Sequence, residues 1–64
     1  EMFEKGRRSI HAAKDLKKGD KLSREDLIIK RPGYGLPVPL LDFIIGRTIL
    51  KDIKRDQWIT KDMI

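Results

Sequence analysis

The sequence predicts a small, mostly-β or irregular domain whose two halves repeat each other. The chain has 64 residues, which is one domain at most and leaves room for only a thin core. Its apolar residues fall in short segments separated by turn and cap signals, and this pattern is typical of short strands and single helical turns. Residues 51–64 also repeat residues 14–27 in residue character.

The repeat has a constant offset of 37 residues and no gap. The run KDLKK recurs as KDIKR, and LSRE recurs as ITKD. Most substitutions between the copies conserve size and charge, and the exceptions are Gly19 against Asp56 and Asp26 against Met63. Because elements this short cannot bury an apolar face alone, we expect the two copies to pack on each other and to be related by a pseudo-two-fold axis.

The first half begins with a predicted strand around Ile10 and Ala12, whose alternation puts both on one face. Gly19-Asp20 predicts a turn. Ser23, followed three residues later by the carboxylate of Asp26, predicts a capped helical turn. Residues 27–29 then predict a second short strand.

The segment between the copies is predicted to contain a loop and a helix. Residues 30–35 form a rigid, glycine-rich loop. A short helix is expected over residues 39–45, because Pro39 suits a first turn and Gly46 is placed to end it. Residues 48–50 are expected to form another strand. The helical residues expected to face the core, by their spacing, are Leu41, Ile44 and Ile45.

Composition restricts the function classes. The net charge of +5 would suit a nucleic acid or a phosphosugar, but acidic residues are interspersed and no basic run exceeds two residues. That pattern favours a solvated surface, so we expect neither a nucleic-acid partner nor a membrane. The chain has no cysteine and no apolar run long enough for a membrane span. A cytoplasmic location is the default expectation, and residues 1–6 are expected to be a linker or tail remnant.

Few residues could carry catalysis. The chain has one histidine, His11, on the face opposite Ile10 and Ala12, and we expect it to be solvated or partly packed. No ligand spacing indicates a metal site. Gly33-Tyr34-Gly35 lacks the third glycine and the context of a phosphate-binding loop.

Arg31 is the residue with the clearest functional interpretation. Pro32 disfavours helical backbone at Arg31 and so presents its side chain. A guanidinium on a rigid loop suits a bidentate contact with a carboxylate, a sugar or a carbonyl. From these residues alone, a solvated loop arginine stays open. Trp58, which replaces Lys21 of the first copy, is expected to fill a core or a domain interface, with base stacking as the alternative.

These motifs, in this order, resemble a known family. The segments that carry the resemblance are RSI (8–10), AKDLKKG (13–19), KRPG (30–33), IGR (45–47) and KDIK (51–54). Over residues 7–64 the chain is similar to the SAF, or antifreeze-like, C-terminal domain of bacterial N-acylneuraminate (sialic acid-type) synthases, which shares the fold of type III antifreeze proteins.

The resemblance implies a β-clip fold with short strands, single helical turns and the internal duplication. It implies a parent enzyme whose N-terminal TIM barrel condenses phosphoenolpyruvate with an N-acylated amino sugar, using a divalent metal (Mn or Mg) held in the barrel. The domain would cap the partner subunit's barrel in a swapped homodimer. Arg31 would contact the sugar, with Lys30 and Tyr34 as neighbouring candidates. The domain itself would hold no cofactor and no catalytic residue.

Other functions stay open at this point. One is a stand-alone carbohydrate- or ice-binding module, although Asp20 and Lys21 place charges where an ice-binding surface is neutral. Another is a SAF domain of flagellar or pilus assembly or of a sugar-acid dehydratase, against which the Arg31-Pro32-Gly33 motif argues.

Overall fold

The centre of the fold is an antiparallel pair of short strands. In the computed structural model, which describes residues 7–64, β1 (Ser9–Ala12) pairs with β2 (Leu27–Lys30), with Ser9 opposite Lys30 and Ala12 opposite Leu27. The helical segments are one short α-helix, α1 (Leu41–Ile44), and three 3-10 turns at Arg24–Asp26, Val38–Leu40 and Lys61–Met63. A small, mostly-β and irregular fold is therefore confirmed. The predicted tail, residues 1–6, lies outside the described residues.

β1 is flanked on both edges. β2 pairs with one edge, and on the other edge single bridges join Ser9 to Pro37 and His11 to Trp58. All four residues of β1 are buried, as expected for a strand with neighbours on both sides. The chain thus packs its insertion and its second repeat copy against the strand that precedes the first copy.

The two repeat copies are related by a pseudo-two-fold axis. Leu16 and Ile53, which are equivalent positions, exchange backbone hydrogen bonds of 2.7 and 2.9 Å. Around this pair, the amide of Lys18 donates to the Asp52 carboxylate at 2.9 Å, and the equivalent amide of Arg55 donates to Asp15 at 2.8 Å. Contacts that are reciprocal at the same offset are what a two-fold relation requires.

The structural repeat is longer than the one seen in the sequence. Ile59 donates to the carbonyl of Ile10 and Leu22 donates to the carbonyl of Arg47, both at 2.9 Å, so the related segments begin near residues 10 and 47. The sequence does not show this extension because Ile10 and Arg47 share no side-chain character. Backbone pairing preserves the symmetry where side chains have diverged.

The mismatch of Gly19 with Asp56 has a backbone explanation. Both residues have positive φ, +97° for Gly19 and +70° for Asp56. Glycine adopts this region without steric cost, and aspartate is among the residues that tolerate it best. The same tight turn is therefore built twice, and the predicted Gly19-Asp20 turn is confirmed.

The core is shared between the copies. Three sets of equivalent positions have both members buried in it: Ala12 and Ile49, Leu16 and Ile53, and Leu22 and Ile59. Ile44 reaches it from the insertion. The buried apolar residues are Ile10, Ala12, Leu16, Leu22, Leu27, Ile44, Ile49, Ile53 and Ile59.

The predicted helix over residues 39–45 is divided in the structure. Pro39 lies in the 3-10 turn Val38–Leu40, and α1 follows directly and ends before Gly46. Gly46 has φ of +93° and donates to the carbonyl of Leu22 at 2.7 Å. The predicted inward residues are confirmed, since Ile44 is buried and both Leu41 and Ile45 pack against the core.

The predicted strand over residues 48–50 is wrong. Thr48 makes a single bridge with Lys21. Ile49 then donates to Asp20, while the next amide, that of Leu50, donates to Met63. Consecutive residues therefore pair with different segments, and no ladder can continue.

None of the helices within residues 7–64 is long and apolar enough to cross a membrane.

Candidate functional site

The loop over residues 31–35 passes over the start of β1 from one edge to the other. It leaves β2 at Lys30, opposite Ser9. It is fastened on the far side at Leu36, which accepts from the Ile10 amide at 3.0 Å and donates to the Ile59 carbonyl at 2.8 Å. Both ends of the loop are therefore held by the backbone pairing of the core.

Ser9 lies beneath the middle of this loop. Its hydroxyl donates to the Pro32 carbonyl at 2.7 Å and accepts from the Gly35 amide at 3.1 Å. Ser9 itself is 0% exposed. The loop is thus bonded to the core along its length as well as at its ends.

Two glycines allow the loop to lie this close. A Cβ at Gly35 would lie 2.9 Å from both the Ile59 carbonyl oxygen and the Trp58 Cβ. A Cβ at Gly33 would lie 2.7 Å from the Arg7 Cβ. Because these distances are shorter than van der Waals contact, the glycines are needed for close approach of the backbone.

Arg31 stands on the outside of this anchored segment. Its side chain is exposed, as predicted, and the Arg31–Pro32 peptide bond is cis. Among residues 7–64, the Arg31 guanidinium makes neither a hydrogen bond nor an ion pair. The group is therefore free to contact a molecule outside the domain.

Lys30 and Tyr34 have partners within the domain. The Lys30 Nζ lies 2.6 Å from Asp56 Oδ1, and this hydrogen bond lowers the pKa of Asp56. The Tyr34 ring contacts that of Trp58, with 5.2 Å between centroids and an interplanar angle of 62°. Tyr34 lies in the loop and Lys30 directly precedes it, and their predicted roles with substrate stay predictions.

Trp58 lies on the surface beside the loop. It is 38% exposed, so the prediction that it fills the core is wrong. Its ring instead packs edge-on against His11 at 6.3 Å and against Tyr34. A contact between Trp58 and another domain stays a prediction.

His11 is buried, and the solvated alternative is therefore wrong. It is 1% exposed, and Nδ1 lies 3.1 Å from the Ser9 carbonyl, to which its N–H donates. Nε2 has no partner among the described residues. Burial lowers the pKa of His11, against the opposing effect of the Ser9 carbonyl, and so favours the neutral ring.

The polar groups beside the loop are engaged within the domain. The Ser9 hydroxyl is committed to the loop on both sides, and His11 directs its N–H to a backbone carbonyl. No group of three or more potential ligand side chains within residues 7–64 could hold a metal ion. The divalent metal implied by the resemblance therefore has no fitting ligand set in this part of the chain.

A family model matches the whole described part of the chain. The SAF domain model matches residues 7–64, which include both repeat copies and the loop. The chain belongs to the SAF domain family. The predicted resemblance is thereby confirmed.

Named relatives of this SAF domain include synthases. Pseudaminic acid synthases from two strains of Campylobacter jejuni are 40% and 38% identical to it over 47 residues, which is 73% of this chain and 14% of each synthase. An uncharacterised protein of Methanocaldococcus jannaschii is 41% identical over 56 residues, which is 88% of this chain and 17% of that protein. The SAF domain therefore spans less than a fifth of the length of these relatives.

The sequence interpretation missed the role of Ser9 and the contact between Tyr34 and Trp58. Ser9 shares a strand face with His11, and alternation alone assigns that face to solvent. The available signal was weak: two polar residues on one face of the first predicted strand.

Proposed function

We propose that this SAF domain serves a sialic acid-type synthase, where it closes the active site of a partner subunit and contacts the sugar substrate through Arg31. The observation that carries the proposal is the identity of 40% and 38% to two pseudaminic acid synthases across 73% of the chain. The aligned length is most of the domain, so the similarity extends well beyond a single motif.

The geometry of Arg31 supports a substrate contact. Its guanidinium is exposed on a loop that is hydrogen-bonded to the core. A fork of donors on an immobilised backbone loses little conformational entropy when it binds a carbonyl or hydroxyl group. An N-acylated amino sugar offers both of these acceptors.

The rest of the enzyme belongs to the same proposal. A TIM barrel would condense phosphoenolpyruvate with the N-acylated amino sugar and hold the divalent metal, and two subunits would exchange SAF domains. We also propose that the fold is a β-clip and that the enzyme acts in the cytoplasm. Exposed charges at Asp20 and Lys21 argue against ice binding, because mobile charged side chains match an ice lattice poorly.

The proposal is tested in the full-length protein that carries these residues. It should condense phosphoenolpyruvate with at least one N-acylated amino sugar. Arg31→Ala should raise KM for the sugar, or lower kcat, by roughly 10- to 100-fold, since hydrogen bonds to charged groups contribute about 1.5–3 kcal/mol. The KM for phosphoenolpyruvate should change little.

Arg47→Ala is the matched control, because Arg47 is also exposed but follows α1, outside the loop. Its kinetics should equal those of the unmodified enzyme. Unchanged kinetics for Arg31→Ala would remove the substrate contact, and absence of any condensation would overturn the assignment to a synthase. Sugar binding by the 64-residue chain alone, as tight as KM in the enzyme, would favour a stand-alone carbohydrate module.

A further inference from the structure

We infer that Ser9 is the positioning residue for Arg31: through its buried hydroxyl and its strand pairing it holds the backbone on both sides of the arginine. The kinetic part of this inference rests on the proposed function of Arg31. Its structural part is independent of that function and can be measured separately.

Ser9 contacts both chain neighbours of Arg31. Its backbone is paired with Lys30, the residue before the arginine. Its hydroxyl donates to the carbonyl of Pro32, the residue after it, at 2.7 Å. Arg31 therefore lies between two positions that are both held by one residue of β1, so the direction of its side chain depends on that residue.

The same hydroxyl bonds to both ends of the turn that follows. Pro32 and Gly35 are the first and fourth residues of a four-residue turn, and their carbonyl and amide are the groups that close a β-turn. The Ser9 hydroxyl bonds to both of them. A hydroxyl is suited to this position because it donates one hydrogen bond and accepts others.

Burial makes the hydroxyl difficult to replace. Ser9 is 0% exposed, so Ser9→Ala removes a buried hydroxyl from the Pro32 carbonyl and the Gly35 amide, which belong to half-buried residues. Buried polar groups that lose their partner are costly, and the loop would relieve this cost by moving away from β1. The guanidinium would then sample more positions while the core pairs remain.

The structural part is tested by amide hydrogen exchange on the chain. Ser9→Ala should reduce the protection of the Gly35 amide roughly tenfold or more, the change expected for a hydrogen bond of about 1.4 kcal/mol. The amide of Ile53, which donates to Leu16 across the pseudo-two-fold axis, should keep its protection. Unchanged protection at Gly35 would overturn the inference.

The kinetic part is tested by a double-mutant cycle in the full-length protein. Ser9→Ala should raise KM for the amino sugar roughly 3- to 10-fold, and it should add nothing in the Arg31→Ala background, because residues that act through one another are not additive. Equal effects of Ser9→Ala with and without Arg31 would show a merely structural role and overturn the inference.

Two further variants keep the test decisive. Ser23→Ala is the control, because it removes a hydroxyl that bonds to Asp26 outside the loop, and it should leave KM unchanged. If Ser9→Ala does not fold, Ser9→Cys keeps a side-chain donor of somewhat larger size while weakening both hydrogen bonds, and the same exchange and KM changes are expected. The cycle requires that Arg31→Ala changes the kinetics. If that single variant has unchanged kinetics, the proposed function of Arg31 fails. If the protection of the Gly35 amide is unchanged in Ser9→Ala, the positioning role of Ser9 fails.

Discussion

At the residue scale, the most unusual group is the buried imidazole of His11. It is enclosed beneath the Trp58 ring and directs its N–H to the Ser9 carbonyl. Burial disfavours the charged ring and lowers the pKa of His11 below the ordinary 6.5. Protonation of the ring is therefore less favourable in the folded chain than in the unfolded one.

This burial predicts a pH dependence of stability. Between the lowered folded-state pKa and the unfolded value near 6.5, the unfolded chain binds more protons, so the free energy of unfolding rises with pH through that window. As the pH falls from 7 towards 5, stability should decrease. Urea unfolding at a series of pH values measures it.

The control for the pH prediction is His11→Gln, which cannot titrate. Its free energy of unfolding, taken relative to its own value at pH 8, should be flatter over the same window. An identical slope in the two proteins would show that another group is responsible.

At the element scale, the one-turn helix at Arg24–Asp26 depends on a single carboxylate. Asp26 accepts from the Ser23 amide at 3.0 Å and from the Ser23 hydroxyl at 3.1 Å, and it pairs with the Lys14 Nζ at 3.1 Å. Desolvation by itself would raise the pKa of Asp26, but the bonds from Ser23 and Lys14 outweigh it and lower the pKa. The predicted cap is confirmed, with the carboxylate as its main acceptor.

Removing this carboxylate should destabilise the chain. Asp26→Ala leaves the Ser23 amide without its acceptor and should reduce the free energy of unfolding by about 1–3 kcal/mol. Asp26→Asn keeps an acceptor oxygen but no charge, so its free energy of unfolding should lie between those of the unmodified chain and Asp26→Ala. Chemical denaturation measures both variants.

The matched turn Lys61–Met63 supplies the control. Asp62 there pairs with Lys51 at 2.7 Å in solvent, and the hydrogen bonds from Lys51 and Thr60 lower the pKa of Asp62 to about 2. Exposed pairs contribute little to stability, so Asp62→Ala should change unfolding far less than Asp26→Ala does. Equal losses of unfolding free energy in Asp26→Ala and Asp62→Ala would contradict the view that the buried carboxylate contributes more to stability than the exposed one.

At the scale of the whole molecule, the two copies stabilise each other through reciprocal contacts at the pseudo-two-fold axis. Asp15 accepts from the amide of Arg55, and Asp52 accepts from the amide of Lys18. Each copy therefore caps a turn of the other, and neither copy has these bonds alone.

This reciprocity predicts two closely similar variants. Asp15→Ala and Asp52→Ala should each lower the free energy of unfolding by about 0.5–1.5 kcal/mol, the usual net contribution of one hydrogen bond, and by similar amounts. Thermal or urea unfolding of the two single variants measures the losses. A large loss in one variant with none in the other would show that the symmetry seen in the backbone does not extend to its energetics.

Local elements were largely predictable from the sequence. The strand around Ile10, the Gly19 turn and the cap at Ser23 depend on residues close in the chain, and each was predicted. The lack of a strand over residues 48–50 was not predictable, because the amides of Ile49 and Leu50 donate to Asp20 and Met63, which are distant in sequence. The same limit applies to His11, whose buried ring contacts the distant Trp58.

The sequence by itself determined the duplication, the family and the exposed Arg31 of the loop, because repeats and motifs are recognised from the residue types alone. Only the tertiary structure decided that Ser9 holds this loop, that Trp58 covers His11 and that the related segments extend to residues 10 and 47. These features join segments more than twenty residues apart through a hydroxyl, a ring edge and backbone amides. Such contacts leave no periodic pattern along the chain, since they depend on which distant groups the fold brings within hydrogen-bond or van der Waals distance.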